Sequence, residues 1–281
     1  MSMTSHLKSE TAIGQFLLNS VEVPYLCYQA SSYGPRIRHG GNRWSLIGTA
    51  FDYLVRMSMS RTLNLEFNPK IAAHAIDMYR KGPMRNGEDF EIREIRDSRH
   101  KTKFQKCCSR VANAIEVGDF REMALTSLSF ARLDPYFRSF RWDESWAYHE
   151  TDSEDSDELI QLHDLWKARF TVPEGEVRMN PAFLSGGLVG GADADLIVNR
   201  TIIDWKVVNE PRRDLKKNLA QLVGYSILSH IDGVRIDTVS LYFARHGVTM
   251  STDLSGILSD SIENTVARFK EVAETNRAVL Q

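Results

Sequence analysis

Apolar residues along the second half of the chain are spaced alternately as in strands and as in helices. Two runs rich in β-branched residues, at 196–198 and 202–208, flank Asn199-Arg200, a pair that suits the turn of a β-hairpin. The whole pattern predicts strands at 176–184, 196–198, 202–208, 239–245 and 248–251, and helices at 214–230 and 260–280. This order predicts an α/β or α+β protein with a central mixed sheet flanked by helices.

The first half of the chain is predicted to be mainly helical. Its clearest helix, 45–60, has an apolar stripe that includes Ile47, Phe51 and Val55, and Ser45 is its expected N-cap. Further helices are predicted at 11–21, 71–80, 104–117, 119–133 and 158–170. The charged segment 84–103 is expected to be a solvated helix.

Two other segments are expected to be loops. The acidic run 152–158 lacks the spacing and the turn glycine of a calcium loop, so we expect it to be solvated. The glycine-rich segment 185–191 leads into a strand and not a helix, so a turn between strands is expected, without phosphate binding. We expect two regions: 1–170, helical, packed on the core and contributing the helix 45–60 to a site, and the core itself at 171–281.

The predicted hairpin carries charges that an apolar sheet tolerates only with partners. Asp204 and Lys206 share a face, because alternate residues of a strand point the same way. The turn brings Asp195, which precedes the first strand, alongside them. Burial of these charges is unfavourable unless they are paired or bind a metal ion. A functional site is therefore expected here; the alternatives are a simple surface ion pair between Asp204 and Lys206, and Asp193 in place of Asp195.

Two carboxylates and an ammonium suit the hydrolysis of phosphodiesters. Asp195 and Asp204 are hard oxygen ligands for Mg²⁺ or Mn²⁺, and strand twist could add the backbone carbonyl of Trp205. Lys206 could orient a water molecule or balance the charge that develops on the phosphate.

The helix after the hairpin supplies further polar groups. Gln221 and Tyr225 share a face and could bond the phosphate or the lysine. Basic residues just before this helix and in its first turn could contact neighbouring phosphates of a nucleic acid: Arg212, Arg213, Lys216 and Lys217.

The composition of the chain excludes few classes of function. The chain of 281 residues has 42% hydrophobic and 26% charged residues and a net charge of −2, which excludes a globally basic protein but not a basic groove. It contains no run of 18 apolar residues and its first ten residues are polar, so a cytoplasmic protein without a membrane segment is expected.

An Asp, a hairpin turn and then Asp-x-Lys together resemble the core motif of the PD-(D/E)XK nuclease superfamily. The nearer resemblance is to its RecB-like branch and the related phage-type exonucleases, where the next helix carries Q-x-x-x-Y, as Gln221 and Tyr225 do here. That branch also has an upstream helix of the form G-x-x-x-H, which Gly48 and Asp52 match with Asp in place of the metal-binding His. The resemblance covers about 176–245 and the helix 45–60.

The resemblance implies a restriction-endonuclease-like core and a site with defined roles. It implies catalytic roles for Asp195, Asp204, Lys206, Gln221 and Tyr225, and metal binding by Asp52, Asp195, Asp204 and the carbonyl of Trp205. The substitution of Asp for His favours an all-oxygen shell and hence Mg²⁺ or Mn²⁺. Some members of the branch hold an iron–sulfur cluster with four cysteines; this chain has three, Cys27, Cys107 and Cys108, so no cluster is expected.

The expected function is a metal-dependent nuclease, most readily a DNA exonuclease or a structure-dependent DNase in repair, recombination or phage defence. DNA is favoured over RNA as the partner, and protein partners or a homo-oligomer are left open. The alternative is a catalytically inactive nuclease-fold protein that binds nucleic acid or other proteins. For Asp52 the alternative is an ion pair with Arg56 one helical turn away.

Overall fold

The computed structural model of the chain describes residues 3–9, 11–25, 27, 34–37, 43–81, 90–139, 146 and 153–280. For 80–81, 90–97, 138–139, 153 and 277–280 only the backbone is described. The described chain forms an α+β protein, with ten α-helices and a mixed five-stranded sheet, which confirms the predicted class. None of the helices within these residues is both long and apolar enough to cross a membrane.

The chain divides into two compact units. The sheet unit combines Met1–Arg38 with Trp166–Gln281, and the helical unit is His39–Leu165. The chain leaves the helical unit after Leu165, close to the predicted boundary at 170/171. The segment before residue 39 differs from the prediction: it belongs with the sheet, because Met3, Leu7, Ile13 and Leu17 are buried in the core of that unit.

The sheet has strands β1 (Val177–Met179), β2 (Leu196–Val198), β3 (Thr201–Lys206), β4 (Thr238–Phe243) and β5 (Val248–Asp253) in sequential order. β1, β2 and β3 pair antiparallel, β3 and β4 pair parallel, and β4 and β5 pair antiparallel. The predicted hairpin is confirmed, and its turn residue Asn199 has φ 50° in the left-handed region that Asn tolerates. Asn199 also holds the turn to the preceding segment, since its side chain bonds Glu176 N and Glu174 O.

The helices of the described residues are numbered in chain order. They are α1 (Met3–Lys8), α2 (Ala12–Asn19), α3 (Trp44–Leu63), α4 (Lys70–Lys81), α5 (Phe90–Val117), α6 (Phe120–Ala131), α7 (Asp134–Ser139), α8 (Ser153–Arg169), α9 (Leu215–Ile231) and α10 (Ile262–Leu280). In the helical unit α3 packs on α5 and α6. The Tyr53 and Phe130 rings meet in that core, with centroids 5.6 Å apart.

α9 is the crossover between the parallel strands β3 and β4 and covers one face of the sheet. Ile197, Ile202, Val239 and Leu241 on that face join the buried residues of α9 in one hydrophobic core, and α1, α2 and α10 close it. The opposite face is aromatic: the Trp205 ring lies against Phe170 and Tyr242 at centroid distances of 5.0 and 6.0 Å, and against Trp166. Burial of this apolar surface is the main force that holds the unit together.

Several local predictions are wrong. Ser45 is not the N-cap of α3, which is Arg43 with no side-chain cap bond. The acidic run is not a solvated loop: 153–158 opens α8, and Asp155 is 7% exposed and paired with Arg43 at 2.9 Å. The acidic residues suit this position, because negative side chains stabilise the N-terminus of a helix.

The glycine-rich segment is not a simple turn. A 3₁₀-helix, Leu184–Val189, comes first, and its first two amides, of Leu184 and Ser185, donate to the Asp232 carboxylate at 2.8 and 2.9 Å. The chain then turns through Gly190 and Gly191, whose φ values of 70° and 109° favour glycine. The predicted strand at 176–184 is shorter, being β1 followed by an isolated bridge between Ala182 and Asp193.

Candidate functional site

The candidate site lies at the carboxyl end of β3, on the face that α9 covers. Asp204 and Lys206 follow Ile202 on this face, and the Lys206 Nζ atom is 2.6 Å from Asp204 Oδ2. Asp204 is only 2% exposed, whereas the Lys206 side chain keeps 17% of its surface exposed. The alternative of an exposed surface pair is therefore wrong, because the carboxylate is inside the protein.

Lys206 also reaches α9. Its Nζ atom donates to Gln221 Oε1 at 3.0 Å, and Gln221 Nε2 donates to the Tyr225 hydroxyl at 2.7 Å. Gln221 and Tyr225 are 8% and 5% exposed, so the bond between them is sheltered from water. The predicted Gln–Tyr pair is thus joined to the Asp-x-Lys pair by a direct contact.

Asp195 completes the arrangement from the neighbouring strand. β2 and β3 pair Leu196 with Ile203, and continuing this register by one residue sets Asp195 opposite Asp204 on the same face. The Asp195 carboxylate accepts a hydrogen bond from the Trp205 amide at 2.8 Å. This bond holds the carboxylate at the point where the β2–β3 ladder ends.

The electrostatic environment of Tyr225 shows that a third carboxylate is near. Burial raises the pKa of Tyr225 well above its usual value, and the negative charges of Asp204, Asp193 and Asp195 raise it further. The hydrogen bond with Gln221 acts in the opposite direction. Tyr225 is therefore a neutral phenol at physiological pH. Asp193, which the sequence offered as an alternative to Asp195, belongs to the same acidic environment.

The two other predicted metal ligands are the carbonyl of Trp205 and the carboxylate of Asp52. The Trp205 ring points to the aromatic face, and a metal-binding role of its carbonyl stays a prediction. Asp52 is on α3 in the helical unit, where its Oδ2 atom accepts from Arg56 Nη2 at 2.6 Å and from Nε at 3.0 Å. The predicted ion pair is therefore present, and a metal-binding role for Asp52 also stays a prediction.

The four basic residues form an exposed group at the start of α9. Arg212 and Arg213 lie in the turn before the helix, and Lys216 and Lys217 are in its first turn. All four are exposed, as phosphate contacts require.

One residue of the site was missed at the sequence level. Gln221 Nε2 also donates to Thr4 Oγ1 on α1 at 3.3 Å, across a separation of 217 residues. No local pattern around Thr4 signals this contact.

The donor set fits a cation that keeps part of its water shell. No three Asp, Glu, His or Cys side chains meet as a metal-binding group within the described part of the chain. Asp195 and Asp204 provide two carboxylates on one face, and Mg²⁺ is usually held by one or two carboxylates together with water and substrate phosphates. This chemistry suits Mg²⁺ or Mn²⁺ better than a cation that needs a closed protein cage.

The site thus combines two hard carboxylates, an ammonium held by two partners, and a neutral phenol at one edge of a sheet. Such groups can bind an anion, balance its charge and hold a proton donor in place. No family model, no curated protein and no solved structure matches the chain, so what the site does rests on this geometry.

Proposed function

We propose that the protein is a Mg²⁺- or Mn²⁺-dependent nuclease that hydrolyses phosphodiester bonds, with DNA as its substrate. The observation that carries the proposal is the convergence at Lys206, whose Nζ atom contacts both Asp204 and Gln221. An ammonium held by a strand neighbour and a helix amide, with Asp195 across the hairpin, is the arrangement that the PD-(D/E)XK resemblance implies. The mixed sheet with this hairpin inside it supports a restriction-endonuclease-like core.

The side chains have distinct roles in this proposal. Asp195 and Asp204, with the Trp205 carbonyl and Asp52 as further proposed ligands, would hold the cation, which lowers the pKa of bound water and neutralises phosphate charge. Lys206 adds a positive charge beside the reacting phosphate. Gln221 holds the lysine, and Tyr225 offers a neutral hydroxyl within the same network.

The substrate class follows from charge. A phosphodiester backbone needs positive groups that do not depend on base sequence. The exposed group Arg212, Arg213, Lys216 and Lys217 provides four of them at the start of the helix that carries Gln221. We propose that this group holds the phosphates that flank the one being cleaved, in an exonuclease or a structure-dependent endonuclease of repair, recombination or phage defence.

One feature favours the alternative of a protein that binds without cleaving. Asp204 and Lys206 are partners across 2.6 Å, so neither charge needs a metal ion or a substrate as its counter-charge. A nuclease must let the phosphate and the cation compete with this pair, whereas a binding protein would keep it closed.

The experiment that tests the proposal is a cleavage assay with labelled linear and circular DNA, single- and double-stranded, and RNA, each with Mg²⁺, with Mn²⁺ or with EDTA. Asp204→Ala and Lys206→Met run beside the wild type, and Lys270→Met, an exposed lysine on α10, is the matched control. We expect metal-dependent cleavage by the wild type and the control, and a loss of about 10²-fold or more in both site variants.

Each result has a defined meaning. Cleavage of linear but not circular DNA identifies an exonuclease. Cleavage that survives both substitutions contradicts the site assignment. DNA binding without cleavage under any metal condition selects the non-cleaving alternative.

A further inference from the structure

The first helix of the chain, α1, lies directly on the helix that carries the Gln–Tyr pair. Met3 and Leu7 of α1 are buried in the same core as α9. The close approach depends on Gly224 of α9: a Cβ atom there would meet Met3 Sδ and Cε at 2.7 Å. A larger residue at 224 would therefore require the end of the buried Met3 side chain to move.

The corner between α1 and α2 fixes where α1 lies. A Cβ atom at Gly14 would stand 2.1 Å from the carbonyl oxygen of His6, so only glycine fits there. Thr11 caps α2 by accepting from the Gly14 amide at 3.1 Å, and its hydroxyl also meets His6 Nδ1 at 2.9 Å. These contacts hold Thr4 in a defined place over α9.

The hydrogen bonds of the Gln221 amide show what Thr4 contributes. Oε1 accepts from Lys206, one N–H donates to Tyr225, and the second N–H donates to Thr4 Oγ1. Gln221 is 8% exposed, so a lost partner is poorly replaced by water. The three partners together hold the amide plane so that its oxygen, and not its nitrogen, faces the Lys206 ammonium.

We propose that Thr4 is a positioning residue of the site, acting on Lys206 through the Gln221 amide. The helix α1 then helps to position a side chain of the site, in addition to burying the hydrophobic core. The catalytic consequence rests on the proposed nuclease function, but the positioning of Gln221 can be measured without it.

The test compares Thr4→Val, which keeps the shape and removes the hydroxyl, with Thr4→Ser, which restores it. Thr275→Val is the matched control, because that hydroxyl bonds only to its own helix, at Glu271 O, on the exposed side of α10. Thermal unfolding of each variant verifies that the fold is kept. Two readouts follow: steady-state cleavage, and the side-chain amide signals of Gln221 in a ¹⁵N–¹H spectrum, assigned by their absence in Gln221→Met.

We expect Thr4→Val to shift the Gln221 amide signals and to lower kcat roughly three- to tenfold, the range that one hydrogen bond supplies. KM should change less than kcat, since Thr4 does not touch substrate. Thr4→Ser should restore both readouts, and Thr275→Val should change neither.

Unchanged Gln221 signals in Thr4→Val overturn the inference, whatever the activity. So does a Thr4→Ser protein as impaired as Thr4→Val. If the wild type cleaves nothing, the nuclease proposal fails by itself, and a Gln221 shift that serine reverses still supports the positioning role.

Discussion

Two ion pairs in this molecule have the same short distance and very different surroundings. Asp204–Lys206 in β3 and Asp52–Arg56 in α3 both join nitrogen and oxygen at 2.6 Å. In the strand the carboxylate is the buried member, with 3% of its side chain exposed; in the helix the guanidinium is, with 4% exposed and the Asp52 side chain at 20%.

The difference lies in what the pairs connect. Arg56 binds its carboxylate through two nitrogens and stacks over the Tyr53 ring at 4.5 Å, and both of these contacts lie within one turn of the same helix. Lys206 extends to another element at Gln221, and the continued register sets a second carboxylate, Asp195 just before β2, opposite Asp204. A functional site is thus indicated by convergence from several elements and not by a short ion pair alone.

The largest difference between the two ion pairs is expected when the basic residue of each pair is replaced. Lys206→Met leaves Asp204 buried without its ammonium, and we expect a loss of about 3 kcal/mol in the free energy of unfolding. Arg56→Met leaves a carboxylate that reaches water, so about 1–2 kcal/mol is expected. Urea unfolding at pH 7 measures both. Equal losses in the two variants would contradict the comparison.

A second prediction concerns the link from strand to helix. Gln221→Met keeps the size of the side chain but removes the partner of Lys206 and of Tyr225. Because these two bonds and the bond to Thr4 are all lost, we expect cleavage about 10–100-fold slower. Single-turnover kinetics at saturating DNA measure this, with Asn264→Met on α10 as an exposed amide control. Wild-type rates in Gln221→Met would show that the contact has no part in the reaction.

A third prediction tests whether Asp52, the carboxylate of the helical pair, takes part in metal binding. If Asp52 is a metal ligand, as the resemblance implies, Asp52→Asn should raise the Mg²⁺ concentration for half-maximal cleavage at least about tenfold. Titration of Mg²⁺ at fixed DNA measures this, and Arg56→Met serves as the control for damage to α3. An unchanged Mg²⁺ requirement would leave Asp52 a purely structural residue.

The smallest effect is expected from the pH dependence of stability that two buried histidines cause. Burial is the largest cause that lowers the pKa of His6 and of His246 from 6.5. The unfolded chain therefore binds more protons below pH 6.5, so stability is complete above that pH and declines as the pH falls towards the lowered values. Denaturant unfolding between pH 7.5 and 5 should show this decline. His6→Gln should flatten it; an identical slope would contradict the assignment.

Much of the candidate site was predictable because its parts are local. Alternation along β3 sets Asp204 and Lys206 on one face, the hairpin turn brings Asp195 opposite, and helical spacing joins Gln221 to Tyr225. Each depends only on the geometry of one element or one turn. The positions of β2 to β5 along the chain were predictable for the same reason, since each apolar run is bounded by its own turn residues.

What could not be predicted depends on partners far away in sequence. Thr4 bonds Gln221 across 217 residues, with glycine required at position 14 in the corner between α1 and α2, and the buried Asp155 pairs with Arg43. The 3₁₀-helix at 184–189 forms where Asp232 caps it. The composition and periodicity of a sequence indicate whether a residue prefers a buried or an exposed environment. They do not identify the distant residue that it contacts.

The contact between Thr4 and Gln221 also bears on how the protein folds. It closes a loop of 217 residues, whereas the β2–β3 hairpin closes over a two-residue turn. Loop-closure entropy delays contacts between distant residues, so the hairpin should form early and the docking of the first helix last. Pulse-labelled hydrogen exchange during refolding should therefore protect the amides of β2 and β3 before those of α1. An intermediate in which all the strands are paired would still lack a correctly held Lys206.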